Sequence, residues 1–129
     1  MQHQVNPMSI AHITLATRDV PRSRDFFANA LGWTPIEHPG NINVDAAWLD
    51  IADGQQLHLV RVADFDVSPF EKEFGRHVAV SFPLAEFDAL KIRLVEHGAT
   101  LIDPLRETPF PRFFFRDPNG YIFEVVPAG

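Results

Sequence analysis

The sequence predicts an α+β fold of two tandem β-α-β-β-β modules, whose curled mixed sheets surround a cleft. Three observations predict it: an internal repeat, a helical pattern ending in glycine in each half, and three strand patterns after each helix. We place module one at residues 10–63, a linker at 64–75 and module two at 76–127, within one domain spanning residues 1–129. A chain of this length can bury one substantial core.

Two similar strand patterns define the repeat. His12 and His77 each precede alternating small and aliphatic residues, and they lie 65 positions apart. Because side chains alternate along a strand, each histidine shares a face with small residues while aliphatic residues occupy the other face. Gly32 and Gly98 follow the two helical patterns, 66 positions apart. Each first strand is therefore expected to pack its aliphatic face into a core and to leave its histidine on the opposite face.

A second pair of positions follows the same period near the end of each half. His58 lies 66 residues before Glu124. Each half thus has one potential metal ligand on its first strand and one on its last strand, separated by 46 and 47 residues. These four residues are His12, His58, His77 and Glu124. If the first and last strands of each module meet at the floor of the cleft, we expect the four side chains to converge there.

Module one begins with a strand at about residues 10–17. Asp19 suits a helix N-cap and Pro21 the first helical turn, so a helix should follow and end at Gly32. Strand patterns then occupy residues 33–38, 45–51 and 56–62. The turns that join these strands are predicted at Pro39-Gly40-Asn41 and Asp53-Gly54.

Module two repeats this order. After the His77 strand, a helix is predicted at about residues 84–97, ending at Gly98. The predicted strands that follow occupy residues 99–102, 112–116 and 121–126. A loop at 103–111 contains three prolines, and Asp117-Pro118-Asn119-Gly120 has the composition of a tight turn.

Composition narrows the functional classes. The chain has no cysteine, which excludes disulfides and thiolate metal ligands, so nitrogen and oxygen must hold any metal. The net charge of -6 and the lack of a basic cluster argue against nucleic-acid binding. No apolar run approaches the ~20 residues of a membrane span, and the N-terminus lacks a secretory pattern. We therefore expect a soluble cytoplasmic protein.

Three stretches resemble the vicinal oxygen chelate superfamily, which includes glyoxalase I, extradiol dioxygenases, fosfomycin-resistance proteins and bleomycin-resistance proteins. They are residues 12–33, His77-Val78-Ala79-Val80 and the segment Asp117-Pro118-Asn119-Gly120-Tyr121-Ile122-Phe123-Glu124. The resemblance implies a divalent metal (Zn, Ni, Co, Mn or Fe) in a homodimer. It assigns His12, His77 and Glu124 to the common ligand set, and His58 to a fourth ligand position.

The resemblance also implies a chemistry. A metal in such a site chelates a small oxygen-rich substrate through two adjacent oxygens and stabilises the oxyanion or enediolate of a lyase or isomerase reaction. Glu124 is then the candidate for a catalytic proton shuttle. Arg112, Phe114 and Arg116 share one face of a predicted strand, and we interpret them as substrate-binding residues, with the arginines meeting an anionic substrate.

Two alternative functions remain open. One is a metal-free protein of the bleomycin-resistance type that binds a drug or metabolite, which the 12 phenylalanines and two tryptophans favour. The other is an Fe(II) dioxygenase. The chain departs from two family patterns. Glyoxalase I-like members have an arginine and an asparagine at the positions of Ala16 and Val62. Extradiol dioxygenases have a tyrosine at the position of Phe114.

Overall fold

The computed structural model describes residues 9–38, 40 and 45–129. The chain divides into two compact units, Met1–Phe65 and Asp66–Gly129. Each unit contains one four-stranded mixed sheet in the order β-α-β-β-β along the chain, so the predicted α+β fold class is confirmed. The predicted Pro39-Gly40-Asn41 turn lies outside the described residues except for Gly40. None of the described helices is long and apolar enough to span a membrane.

The first unit is a sheet with one helix. Its elements are β1 (His12–Thr17), α1 (Val20–Ala30), β2 (Thr34–Ile36), β3 (Ala46–Ala52) and β4 (Gln55–Arg61). The sheet order is β1-β4-β3-β2, and β1 runs parallel to β4 while the other neighbours are antiparallel. The first and last strands of the unit are therefore hydrogen-bonded neighbours at one side of the sheet.

Helix α1 begins and ends as the sequence predicts. The Asp19 carboxylate accepts the N–H of Arg22 at 3.0 Å, which satisfies a donor that the first turn would otherwise leave unpaired. Gly32 follows the helix with a φ of 77°, a conformation that glycine adopts without strain. The helix buries Phe26, Phe27 and Ala30. This apolar face packs with the aliphatic side of the sheet, which leaves the opposite side of β1 exposed at His12.

The second unit repeats the arrangement. Its elements are β5 (Val78–Phe82), a 3-10 turn (Leu84–Glu86), α2 (Phe87–Glu96), β6 (Thr100–Ile102), β7 (Phe113–Arg116) and β8 (Ile122–Pro127). The sheet order is β5-β8-β7-β6, with β5 parallel to β8. The predicted helix at 84–97 thus begins with a 3-10 turn after Pro83, where no side chain caps the first N–H groups.

The two faces of the second sheet differ in character. Phe113, Phe115, Phe123 and Val125 are buried on one face, and Phe113 meets Phe87 of α2 edge to face at 5.4 Å. Phe114, Arg116 and Glu124 alternate with them and so occupy the other face. The fold therefore separates an apolar face against the helix from a face that carries the candidate functional side chains.

A buried carboxylate fixes the start of β8. Glu71, whose side chain is 2% exposed, accepts two hydrogen bonds from Arg76 at 2.8 and 3.0 Å and one from the N–H of Ile122 at 2.8 Å. The Arg76 guanidinium also lies over the ring of Tyr121. Residues 66–75, which the sequence places in a linker, thus contact the second sheet.

Candidate metal centre

The first unit brings His12 and His58 into direct contact. Their rings stack with centroids 4.1 Å apart and planes 15° apart. The other face of His58 stacks on Trp48 at 3.7 Å, and His58 Nε2 lies 2.9 Å from Gln56 Oε1. Burial and, secondarily, the charge of His12 lower the pKa of His58 from its ordinary value. This environment favours the neutral imidazole, which is the form that ligates metals.

The second unit brings His77 and Glu124 together. His77 Nε2 lies 3.4 Å from Glu124 Oε1, and His77 Nδ1 lies 3.3 Å from the carbonyl oxygen of Lys72. The Phe114 ring meets His77 edge to face at 5.3 Å. Glu124 Oε2 accepts a hydrogen bond from Arg112 at 2.9 Å. One carboxylate oxygen is thus held by an arginine, while the other faces the histidine.

The two pairs occupy equivalent places in their sheets. His58 is the register partner of Thr14, which lies two residues after His12. Glu124 is the register partner of Ala79, which lies two residues after His77. His12 on β1 therefore shares a sheet face with His58 on β4, one diagonal step away, and His77, which lies directly before β5, holds the equivalent place relative to Glu124 on β8.

The donor atoms suit a divalent metal. Two atoms that each lie ~2.1 Å from one tetrahedral ion are about 3.4 Å apart, and this is the separation between His77 Nε2 and Glu124 Oε1. All four donors are imidazole nitrogen or carboxylate oxygen, a set that suits Zn, Ni, Co, Mn or Fe. Within either unit, the described residues place no three histidine, aspartate or glutamate side chains so that they could hold an ion. Each unit by itself supplies a pair.

The residues predicted to bind substrate lie on the same sheet face as Glu124. Arg112 is engaged by Glu124 and Glu73. Arg116 donates to the carbonyl oxygen of Gly120 at 2.7 Å. Phe114 and Arg116 also line a cavity of about 160 Å³, whose other walls include Lys72, Ile102, Leu105 and Ile122. Substrate binding by Arg112, Phe114 and Arg116 stays a prediction.

Sequence reasoning missed three residues around these pairs: Trp48, Gln56 and Glu73. Gln56 lies two positions before His58 on the same strand face, a spacing that would have indicated it. Trp48 and Glu73 come from other segments and have no such local signal. Although burial opposes it, the N–H groups of Leu105 and Arg106 and the Arg112 guanidinium lower the pKa of Glu73.

A family profile covers nearly the whole described chain. Residues 9–125 match the Glyoxalase/Bleomycin resistance protein/Dioxygenase superfamily. With the paired β-α-β-β-β units and the ligand pairs, this match defines the class of protein: the chain belongs to that superfamily. The resemblance drawn from the sequence motifs is thereby confirmed.

Particular relatives come from plants and bacteria. "Glyoxylase I 4" of Arabidopsis thaliana is 27% identical over 127 residues, covering 93% of this chain and 72% of the relative. The metallothiol transferase FosB of Shouchella clausii (strain KSM-K16) is 27% identical over 119 residues, covering 90% and 77%.

A solved structure shares the fold. A mutant of the fosfomycin resistance protein FosX from Listeria monocytogenes superposes with a TM-score of 0.77 at 19% identity, covering 95% of this chain and 93% of FosX. That crystal contains Mn(II) and 1S,2S-dihydroxypropylphosphonic acid. At this identity the likeness shows a common fold.

Proposed function

We propose that this protein is a metal-dependent enzyme that acts on a small oxygen-rich substrate in a lyase- or isomerase-type reaction. His12, His58, His77 and Glu124 are the proposed ligands. The observation that carries the proposal is the matching placement: His12 on β1 pairs with His58 on β4, and His77, directly before β5, pairs in the equivalent way with Glu124 on β8. The likeness to the metallothiol transferase FosB and to the Mn(II) complex of FosX supports it.

Residues of the chain would handle the proton and contact the substrate. When bound, a divalent metal supplies Lewis-acid stabilisation of negative charge on substrate oxygens. Glu124 keeps Oε2 on Arg112 and directs Oε1 toward His77, so Oε1 is the oxygen that would face the ion, and it would hold a proton during turnover only after leaving the ion. Phe114 and Arg116 offer an apolar wall and a cation beside the small cavity on that face.

The aromatic stack in the first unit favours a second candidate function. His58 lies between His12 and Trp48, and its Nε2 already has Gln56 as a partner. A histidine satisfied in this way suits a metal-free protein that binds a drug or metabolite. It also suits an enzyme whose ligand set is reduced to His12, His77 and Glu124.

Metal content tests the proposal directly. The protein is purified without chelators and without a metal-affinity column, and its metals are measured by mass spectrometry. We expect close to one divalent ion per chain in the wild type. We expect this ion to be lost in His77→Ala, because that variant removes one nitrogen of the donor set. The identity of the ion also tests the dioxygenase alternative: bound iron together with oxygen uptake on catechols would support it.

His97→Ala is the matched control. His97 follows α2, where its N–H donates to the carbonyl oxygen of Arg93, and it belongs to neither ligand pair. The control is expected to retain the wild-type metal content. A wild type that is folded but metal-free, even after incubation with Mn(II), Zn(II) and Ni(II), would overturn the enzyme proposal and favour the binding protein.

A further inference from the structure

The Arg112 guanidinium lies between two carboxylates of the second unit. One terminal nitrogen donates to Glu124 Oε2 at 2.9 Å, and the other donates to Glu73 Oε2 at 3.1 Å. The three side chains are 3%, 13% and 9% exposed for Arg112, Glu124 and Glu73 respectively. Because water is largely excluded, these charge-assisted hydrogen bonds hold their geometry more firmly than surface ion pairs do.

Glu73 connects this arginine to the backbone of the loop between β6 and β7. Its carboxylate accepts the N–H of Leu105 at 2.7 Å and the N–H of Arg106 at 3.0 Å. Arg112 in turn donates to the carbonyl oxygen of Arg106 at 2.5 Å. The guanidinium also lies over the Phe114 ring, 5.1 Å from its centroid. Contacts from a carboxylate, a loop carbonyl and a ring face therefore fix the position of the guanidinium.

The fixed guanidinium sets the orientation of Glu124. With Oε2 held at 2.9 Å by Arg112, rotation of the carboxylate would break that bond, so Oε1 stays directed at His77. Partners that orient a ligand in this way typically change metal affinity by 10–100-fold when they are removed.

We propose that Arg112 is a positioning residue for Glu124 and that Glu73 is its anchor. The inference rests on the proposed function, in which Glu124 is a metal ligand. Arg112 acts on the ion through the Glu124 carboxylate. The fork of the guanidinium is essential because one planar group must reach two carboxylates at once.

Charge gives this arrangement a distinctive signature. A lone arginine near a cation site would oppose metal binding, but Glu73 cancels the charge of Arg112. The double variant Arg112→Met with Glu73→Gln removes both charges and leaves the net charge of the cluster unchanged. The glutamine oxygen retains an acceptor for one of the two loop N–H groups, which bond to separate oxygens of the carboxylate. Because Arg112 is bonded directly to Glu124, electrostatics alone predicts an unchanged or higher metal affinity for this double variant, whereas loss of orientation predicts weaker binding.

The experiment is a Mn(II) titration of the full chain, in which free Mn(II) is followed by its electron paramagnetic resonance signal. We expect the double variant to bind Mn(II) about 10–100-fold more weakly than the wild type. Arg112→Lys should fall between the two, because its ammonium keeps a charge but cannot form the fork. Circular dichroism and thermal melting establish that each variant is folded at the titration temperature.

Arg24→Met is the matched control, since Arg24 is an exposed arginine that pairs with the neighbouring Asp25 in the first unit. It should bind Mn(II) like the wild type. A folded double variant with wild-type affinity would overturn the positioning role while leaving the metal site intact. A wild type that binds no Mn(II) would instead show that the proposed function itself has failed.

If the double variant does not fold, the single variant Glu73→Gln tests the inference instead. It leaves the charge of Arg112 unbalanced and weakens the anchor, and both effects lower affinity for a cation. An unchanged Mn(II) affinity in this single variant would overturn the inference.

Discussion

At the scale of single residues, buried carboxylates organise the second unit. Glu71 holds Arg76 and the N–H of Ile122, and Glu73 holds Arg112 and two N–H groups of the loop after β6. Asp117 is buried in the turn before β8, where its Oδ1 accepts the N–H groups of Asn119 and Tyr121. Each carboxylate satisfies backbone donors that the turns and loops would otherwise leave unpaired.

Asp117 gives a prediction for the pH dependence of stability. Burial raises the pKa of Asp117 to about 6, against the hydrogen bonds from Tyr121 and Asn119, which act to lower it. The folded state therefore keeps a proton that the unfolded state releases near its ordinary pKa of 3.8. The contribution of Asp117 to the free energy of unfolding is therefore greatest at pH values below about 4, where the carboxyl is protonated in the folded state. It decreases as the pH rises to about 6, by about 3 kcal/mol in all.

Urea unfolding of the wild type and of Asp117→Asn at a series of pH values measures this effect. The asparagine retains an oxygen for the two N–H groups but does not titrate. We expect the stability of the variant relative to the wild type to rise between pH 4 and pH 6.5. A relative stability that is flat over this range would contradict the raised pKa.

At the scale of elements, local signals predicted much of the fold. The aspartate cap and the terminal glycine of α1 are local features, and the structure confirms both. The pairing of β3 with β4 shows where local reasoning fails. Continuing one residue at a time from the Ala52–Gln55 pair would place Leu49 opposite His58, but the register shifts and places Trp48 there. A register shift of this kind moves a side chain to the other face of the sheet, and no pattern in the sequence indicated it.

Contacts between distant segments were also beyond prediction. The pair of His12 and His58 could be expected because the repeat itself relates first and last strands. Glu73 and Arg112, in contrast, are 39 residues apart in segments of irregular structure. Periodicity indicates which residues share a face of one element. It does not indicate which charged residues of two distant segments contact each other.

The Asp-Pro-Asn-Gly turn before β8 depends on Gly120. This residue has a φ of 104°, and a Cβ at this position would lie 3.1 Å from Val67 Cγ2. Gly120→Ala should therefore lower the free energy of unfolding by about 1–3 kcal/mol, as measured by chemical denaturation. Gly32→Ala is the control, because Gly32 has a φ of 77° but no atom within 4 Å of the added Cβ. A Gly32→Ala loss equal to that of Gly120→Ala would show that contact with Val67 contributes nothing.

At the scale of the whole molecule, each of the two units contains two of the four candidate ligands. Each unit contributes one histidine at or directly before its first strand and one candidate ligand on its last strand, and the two sheets have equivalent strand orders. Neither unit by itself has more than a pair of the proposed ligands among its described residues.

We predict that the protein is a homodimer in solution. The second unit exposes Phe70, Phe74 and Leu105 at 66%, 67% and 78%, and burying such side chains against a second chain would remove apolar surface from water. Multi-angle light scattering of the purified protein should report the mass of two chains over a wide concentration range. A metal-loaded protein with the mass of one chain would contradict the prediction.

The equivalence of His58 and Glu124 has a consequence for selectivity. Imidazole suits the later transition metals, whereas carboxylate suits harder ions such as manganese. If both residues ligate an ion as proposed, their matching positions on β4 and β8 make His58→Glu and Glu124→His exchanges of donor hardness in which each sheet takes the residue type that the other sheet carries. With those ligand roles, the duplicated architecture would offer two separate positions at which one substitution changes the preferred ion.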